Sequence, residues 1–169
     1  MARPLEAYVA PGATLLGDVR LGPDVSVFHG TVIRGEAASV TVEAEANVQD
    51  NCVVEAAPGH PVLIGARTSL GHNARVYGAT IGPAALIAIG ATVNQGAIVG
   101  RHAIVAANAV VPEGMQIPDA KLVIGTGRIL RDVTQAEIAR IESGATEYAR
   151  LSREYRLGLE AATVPGAQS

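Results

Sequence analysis

Residues 81–117 read IGPAAL-IAIGAT-VNQGAI-VGRHAI-VAANAV-VPEGMQ-I, with an aliphatic residue at the start of every six-residue block. A period of six fits neither an α-helix nor one long strand, because side chains repeat every 3.6 residues in a helix and every two in a strand. It fits a short strand followed by a turn, three of which complete one coil of a triangular prism. Each aliphatic side chain then points inward and stacks on its equivalent in the next coil.

The same spacing runs through the upstream sequence, interrupted by two insertions. It connects these aliphatic positions: Val9, Leu15, Leu21, Val27 and Ile33, then Val42, Val48 and Val54, then Ile64, Leu70 and Val76. A step of five residues leads from the last of them to Ile81. The sequence therefore predicts a parallel β-helix over about residues 7–130, whose strands hydrogen-bond between coils about 4.8 Å apart.

The period changes after residue 133. Thr134-Gln135-Ala136-Glu137 has the spacing of a helix capping box. Apolar residues then recur at steps of three and four, which predicts an amphipathic helix over about 134–160 that packs along the prism; they are Ile138, Ile141, Ala145, Tyr148, Leu151 and Tyr155. We expect one domain over residues 1–160 and a disordered tail over residues 161–169.

Composition limits the classes of partner. The 169 residues carry a net charge of −3, which does not favour nucleic acid or an anionic membrane, and no apolar stretch is long enough to span a bilayer. A single cysteine, Cys52, excludes an internal disulfide framework, and we expect it to be a small buried residue. His60 and His102 are expected to be solvated turn residues. We expect a cytoplasmic protein.

A prism turns the sequence into a surface map, provided that neither insertion skips a side. One side then carries a column of outward residues that directly follow the inward aliphatics: Arg34, Glu55, Tyr77 and Asn94. A neighbouring side carries a second column two places after its aliphatics, formed by His29, Asp50 and His72, with Gln49 beside it. A threefold assembly could bring one column against the other column of a neighbour.

Three blocks carry a resemblance to a known family: Val32–Glu36 (VIRGE), Asn47–Asn51 (NVQDN) and Gly71–Gly78 (GHNARVYG). In this order they resemble the γ-class carbonic anhydrases, and the tail from residue 133 is similar to that family's closing helix. The resemblance covers most of the chain. It implies a left-handed parallel β-helix of hexapeptide repeats with a C-terminal α-helix, assembled as a homotrimer with active sites between subunits.

In that family three histidines bind zinc, two from one subunit and one from its neighbour. The matching residues here are Glu55, His72 and Tyr77, so two of the three imidazoles are replaced. Glutamate is a competent zinc ligand, whereas a phenol, with a pKa near about 10, must first lose its proton. We therefore expect no cofactor and disfavour zinc; if a metal is bound, its ligands would be His72, Glu55 and His29.

Other matching positions suggest supporting roles. The resemblance implies interface ion pairs for Arg34, Glu36 and Asp50, where Glu36 replaces the family's aspartate. His29 replaces a proline and could orient Asp50 and act as a base, or only fill the site. Gln49 could orient substrate or water, or satisfy backbone groups. Asn94 adds a polar group where the family has an aliphatic residue.

Three functions remain open. The first is a metal-independent acid–base enzyme of the lyase, cyclase, hydratase or isomerase type, acting on a small molecule with Glu55, His72 and Tyr77 as catalytic residues and His29, Gln49 and Asn94 in the pocket. The second is a metal-dependent carbonic anhydrase or hydratase with substituted ligands. The third is a non-catalytic scaffold or assembly protein. The sequence favours the first, because drift after loss of the metal would not be expected to retain polar groups at both replaced positions.

Overall fold

The computed structural model describes residues 6–158, which form a parallel β-helix followed by one α-helix. The predicted tail over 161–169 and the last two residues of the predicted helix lie outside this range. The elements are β1 Tyr8–Val9, β2 Thr14–Leu21, β3 Ser26–Val27, β4 Val32–Val42, β5 Asn47–Val48, β6 Val53–Glu55, β7 Val62–Ile64, β8 Ser69–Leu70, β9 Arg75–Tyr77, β10 Thr80–Ile81, β11 Leu86–Ile87, β12 Thr92–Val93, β13 Ile98–Val99, β14 Ile104–Val105, β15 Val110–Val111, β16 Gln116–Ile117, β17 Lys121–Ile124, β18 Arg128–Asp132 and α1 Gln135–Arg156. Within residues 6–158, no helix has the length and apolar character needed to cross a membrane.

The strands build three faces of a prism. The first face stacks β1, β3, β5, β8, β11, β14 and β17 in parallel, and β18 returns antiparallel on β17. The second face stacks the first halves of β2 and β4 with β6, β9, β12 and β15. The third stacks the second halves of β2 and β4 with β7, β10, β13 and β16. The predicted β-helix with a C-terminal helix is confirmed.

The register shows that neither insertion skips a side. On the second face Ile33 lies opposite Val54, which lies opposite Val76 and then Val93. The first insertion is absorbed inside β4, where the pairing with β2 shifts between Gly17 and Val19. The second forms a loop between β6 and β7. Because both insertions lie at the corner between the second and third faces, the inward phase is preserved.

The core consists of the predicted inward aliphatics, which are fully or almost fully buried from the second coil onward. Val9 is the exception: the repeat places it inside, yet it is 41% exposed. It pairs with Val27 but belongs to the first coil, so the described residues provide a neighbouring coil on one side only. Leu15 and Leu21 of the same coil are partly buried for the same reason.

The corners account for many of the glycine and asparagine residues of the chain. At the corner between the first and second faces the backbone adopts a left-handed conformation once per coil, at Gly12, Gly30, Asn51, Asn73, Gly90 and Asn108. Glycine, and less readily asparagine, tolerates this conformation. Gly35 serves a second purpose, because a Cβ there would lie 2.3 Å from the carbonyl oxygen of Asp18. Strands β2 and β4 therefore approach each other closely where the second face turns into the third.

Helix α1 begins at the predicted capping box. Thr134 Oγ1 accepts a hydrogen bond from the Glu137 amide at 3.2 Å, and the Thr134 amide donates to the Glu137 carboxylate at 2.8 Å. The helix lies across β1, β3, β5 and β8 of the first face. Near its C-terminus Tyr148 and Tyr155 meet Phe28 edge-on, at ring centroid separations of 5.5 and 5.9 Å. Four of the five aromatic residues of the chain, all but Tyr77, thus cluster between helix and prism rather than inside the prism.

An ion-pair cluster fixes the middle of α1 to a corner of the prism. Arg67 pairs with both Glu45 and Glu142, and its Nε donates to Glu142 at 2.7 Å. His102 lies in a turn, as predicted, but its side chain is only partly exposed, with its Nε2 3.4 Å from the same Glu142 carboxylate. It is not fully solvated because residues 67 and 102 occupy equivalent corner positions, and the helix passes over this corner.

We expect replacement of Arg67 by methionine to lower the melting temperature at pH 7 and to matter less in acid. The hydrogen bond from Arg67 holds the pKa of Glu142 below its ordinary value, although partial burial opposes the shift. A carboxyl group whose pKa is lower in the folded state stabilises the fold above its unfolded pKa of about 4.3, and this stabilisation is lost as pH falls through the folded value.

The difference in melting temperature between wild type and R67M should therefore shrink as the pH is lowered from 7 to below about 4. Arg101→Met is the matched control, because the Arg101 side chain is exposed and forms no ion pair with the described residues. A difference for R67M that stays constant with pH would contradict the assignment.

Candidate functional site

The first predicted column lies along one edge of the second face. Arg34 is the register partner of Glu55, and Glu55 is the register partner of Tyr77. Neighbouring strands are about 4.8 Å apart, so a carboxylate and a phenol stand side by side. Tyr77 is 40% exposed. Asn94 follows in the next coil, where its amide nitrogen donates to the Val111 carbonyl oxygen at 3.0 Å.

Within this column Arg34 has a charged side-chain partner among the described residues, whereas Glu55 and Tyr77 have no polar one. Arg34 Nη1 donates to Glu36 Oε2 at 3.0 Å, so these two predicted ion-pair residues are in contact within one chain. By contrast, no residue between 6 and 158 forms a hydrogen bond or ion pair with the side chain of Glu55 or Tyr77. Glu55 and Tyr77 are thus presented outward with their polar atoms free to contact a molecule outside the chain.

The second predicted column is a stack of corner residues centred on Asp50. Its Oδ2 lies 3.2 Å from Nδ1 of His72, and its Oδ1 lies 3.6 Å from Nδ1 of His29. Backbone hydrogen bonds align the three turns, since the Asn51 amide donates to the His29 carbonyl and the Asn73 amide donates to the Asp50 carbonyl. When Nδ1 of His72 donates to Asp50, Nε2 is left as the acceptor.

Within the chain Asp50 is therefore not an ion-pair partner of Arg34. Sequence reasoning grouped Asp50 with Arg34 and Glu36, but Asp50 lies in a turn at the corner, whereas the other two lie at the far end of a strand on the second face. The corner stacks Asp50 between two imidazoles instead. A contact between Asp50 and a second chain stays a prediction.

Gln49 lies on the other side of this corner, beneath α1. It flanks the inward residue Val48 and so points out of the first face, where it is 6% exposed. Its Nε2 donates to Asn47 Oδ1 at 3.0 Å, and Asn47 Nδ2 donates to Ser69 Oγ at 2.8 Å. The sequence left two roles open for Gln49, orienting substrate or water and satisfying backbone groups. Among the described residues its side chain donates to another side chain and not to the backbone.

Sequence reasoning missed Tyr148 as a polar residue near Asp50. It was counted only as part of the apolar stripe of the helix, and it does pack against Phe28. Burial raises the pKa of Tyr148, and the negative charge of Asp50 raises it further. The sequence could have indicated this, because Tyr148 lies on the apolar side of the helix, which packs on the first face of the prism.

The sequence of the chain is similar to those of known proteins. A protein of Methanocaldococcus jannaschii described as "Probable carbonic anhydrase" is 47% identical over 145 residues, covering 85% of this chain and 91% of its relative. The chain belongs to the γ-class carbonic anhydrase-like family. The mitochondrial gamma carbonic anhydrase 1 of Arabidopsis thaliana is 38% identical over 157 residues, and the match covers 89% of this chain but 57% of the plant protein. No family model matches the chain.

The solved structures agree on the fold. A hexapeptide transferase family protein from Anaplasma phagocytophilum superposes with a TM-score of 0.79 at 28% identity, covering 89% of this chain and 93% of that one. The hexapeptide β-helix is thus shared between the γ-class carbonic anhydrase-like family and transferases. Fold alone does not distinguish their chemistries.

The zinc site that the family implies does not fit the residues present. The corresponding donors are the Glu55 carboxylate, the Tyr77 phenol and one imidazole, that of His72. Neutral imidazoles bind Zn²⁺ without prior loss of a proton, whereas a phenol with an ordinary pKa of about 10 must first release one. With two of the three imidazoles replaced, these residues do not reproduce the zinc site of the family.

Proposed function

We propose that this protein is a homotrimeric, metal-independent enzyme that moves protons on a small molecule bound between two subunits. The observation that carries the proposal is the adjacent pair Glu55 and Tyr77, which points outward without a polar partner among the described residues. A carboxylate and a phenol side by side, in place of two metal-binding imidazoles, form a complementary proton acceptor and donor.

In this proposal each residue has one role. Glu55 acts as general base and Tyr77 as general acid. His72, contributed by the neighbouring subunit, is oriented by Asp50 and offers Nε2 as a second acceptor or, when protonated, as a donor. His29, Gln49 and Asn94 would line the pocket, and Arg34 with Glu36 would support the subunit interface.

The groups present favour proton transfer over covalent catalysis. Elimination, hydration, cyclisation and isomerisation each need one group to abstract a proton and another to supply one. A nucleophilic mechanism would need an activated side chain. Cys52 does not provide it, because burial raises the pKa of its thiol to about 12 and its Sγ donates to the Gly71 carbonyl oxygen at 3.1 Å.

The purified protein is expected to contain little zinc and to show little carbonic anhydrase activity. Restoring both imidazoles with Glu55→His and Tyr77→His should raise the zinc content towards one ion per site, because the family's three nitrogen donors are then complete. Elemental analysis of both proteins measures this. Near-stoichiometric zinc in the wild type would instead favour a carbonic anhydrase or hydratase with substituted ligands. The Asn94→Leu variant, which restores only an aliphatic residue of the family, is the control and should bind no more zinc than the wild type.

The protein is expected to be a trimer in solution, with Arg34→Glu shifting it towards monomer. Charge reversal would place a carboxylate at position 34 beside that of Glu36, whose Oε2 now lies 3.0 Å from Nη1 of Arg34. Light scattering at micromolar concentration measures the change. Arg20→Glu is the control, because it breaks an equally local pair with Asp18 in the first coil. A wild-type monomer, or a trimer unchanged by R34E, would contradict the proposed interface.

A further inference from the structure

A cleft of about 230 Å³ lies between the N-terminal half of α1 and the first face of the prism. Its floor on the prism side is formed by Ser69, Leu86 and Ile104, which are register partners in three successive coils. Two coil spacings give the floor a length of about 10 Å. The cleft is smaller than the pockets of about 300–1,000 Å³ that hold drug-sized ligands, so it suits a small molecule.

A glycine in the helix opens this cleft. Gly144 lies in the middle of α1, where glycine is a weak helix former, and it lines the cleft together with Ile141. A Cβ added at Gly144 would meet no atom within 4 Å. The missing side chain is therefore replaced by empty space rather than by a close contact with the prism.

One end of the cleft carries a free positive charge. Arg140 and Glu137 both line this end. The Glu137 carboxylate is already bound by Arg131, at 2.8 and 2.9 Å, and by the Thr134 amide. Arg140 forms no ion pair or hydrogen bond with the side chains of residues 6–158. A guanidinium at the mouth of a mainly apolar cleft is suited to bind a carboxylate.

The other end of the cleft carries polar side chains. It is lined by Gln49 and Tyr148. Gln49 uses its amide nitrogen towards Asn47, and none of the described residues donates to its side-chain oxygen. The cleft thus runs from the guanidinium of Arg140 to the side-chain amide of Gln49.

We propose that this cleft binds a small apolar carboxylate, with its carboxylate on Arg140, its hydrocarbon part on Leu86 and Ile104, and its other end at Gln49 and Tyr148. This assignment goes beyond the proposed function and does not depend on it, because none of Glu55, His72 and Tyr77 lines the cleft. The length of the cleft matches a chain of about six carbons, since a floor of about 10 Å spans three coils.

The test is binding of hexanoate to the intact wild-type protein, measured by calorimetry and by NMR chemical shifts. We expect hexanoate to bind about tenfold or more tightly than hexanamide, which has the same shape without the charge. Arg140→Gln should reduce the affinity for hexanoate about tenfold while leaving that for hexanamide unchanged. Arg101→Gln removes an equal charge away from the cleft and should have no effect on either ligand.

A second variant blocks the cleft without removing the charge. Gly144→Leu should abolish hexanoate binding and should not lower the melting temperature, because leucine is the stronger helix former and the space is open. Absence of hexanoate binding to the wild type at millimolar concentration, or unchanged binding in G144L, would overturn the proposal. Binding of hexanoate does not require turnover. If hexanoate binds but replacement of Glu55 changes no catalysed reaction, the proposed function is refuted and the assignment of the cleft is not.

Discussion

Replacing Glu55 by glutamine should lower kcat by about 10²–10⁴-fold, the usual contribution of a general base. Glutamine preserves the shape and hydrogen-bonding capacity of the side chain but cannot accept the proton. Glu55 has no ion-pair partner among the described residues, so the change breaks no contact within the chain. Assembly and melting temperature should remain those of the wild type, which isolates the chemical effect.

Tyr77→Phe and His72→Asn complete this experiment. The first removes the proposed acid and keeps the ring, and the second keeps a hydrogen-bond donor to Asp50 while removing the titratable imidazole. All three variants should be assayed as intact trimers with the same substrate. Arg75→Gln is a suitable control, because Arg75 precedes Tyr77 by two residues on β9 and its side chain forms no ion pair with the described residues. If kcat stays within a few-fold of wild type in all three, the scaffold function becomes the better explanation.

Replacing Leu70 by alanine should reduce the free energy of unfolding by about 2–5 kcal/mol. Leu70 is fully buried and is stacked between Val48 and Ile87 of the adjacent coils. Removing its branched end leaves a cavity that the neighbouring coils cannot fill without breaking their regular backbone hydrogen bonds. The loss therefore includes both the transfer of apolar surface and the cavity.

The measurement is urea denaturation at a fixed chain concentration, because any dissociation of a trimer would make stability depend on concentration. Leu157→Ala is the matched control: the residue is 75% exposed at the end of α1, so its truncation should change the free energy by no more than about 0.5 kcal/mol. Equal losses for the two variants would contradict the stacked-core description.

The sequence by itself determined the β-helix, the inward positions and the composition of both polar columns. Repetition makes this possible, because each coil places residue i above its equivalent about eighteen residues earlier, and one alignment of the repeats then assigns every side. The alignment of Ile33, Val54, Val76 and Val93 was predicted across both insertions and agrees with the strand register. The capping box of α1 was equally local and equally visible.

Only the tertiary structure decided which residues pair across elements. The path of α1 brought Glu142 to Arg67 and His102, and Tyr148 to Phe28, although these partners are 40 to 120 positions apart in the chain. The helix also covers Gln49 and leaves the cleft at Gly144. Such contacts depend on where a helix with its own period of 3.6 residues crosses a surface with a period of six, and that crossing is set by packing rather than by either repeat.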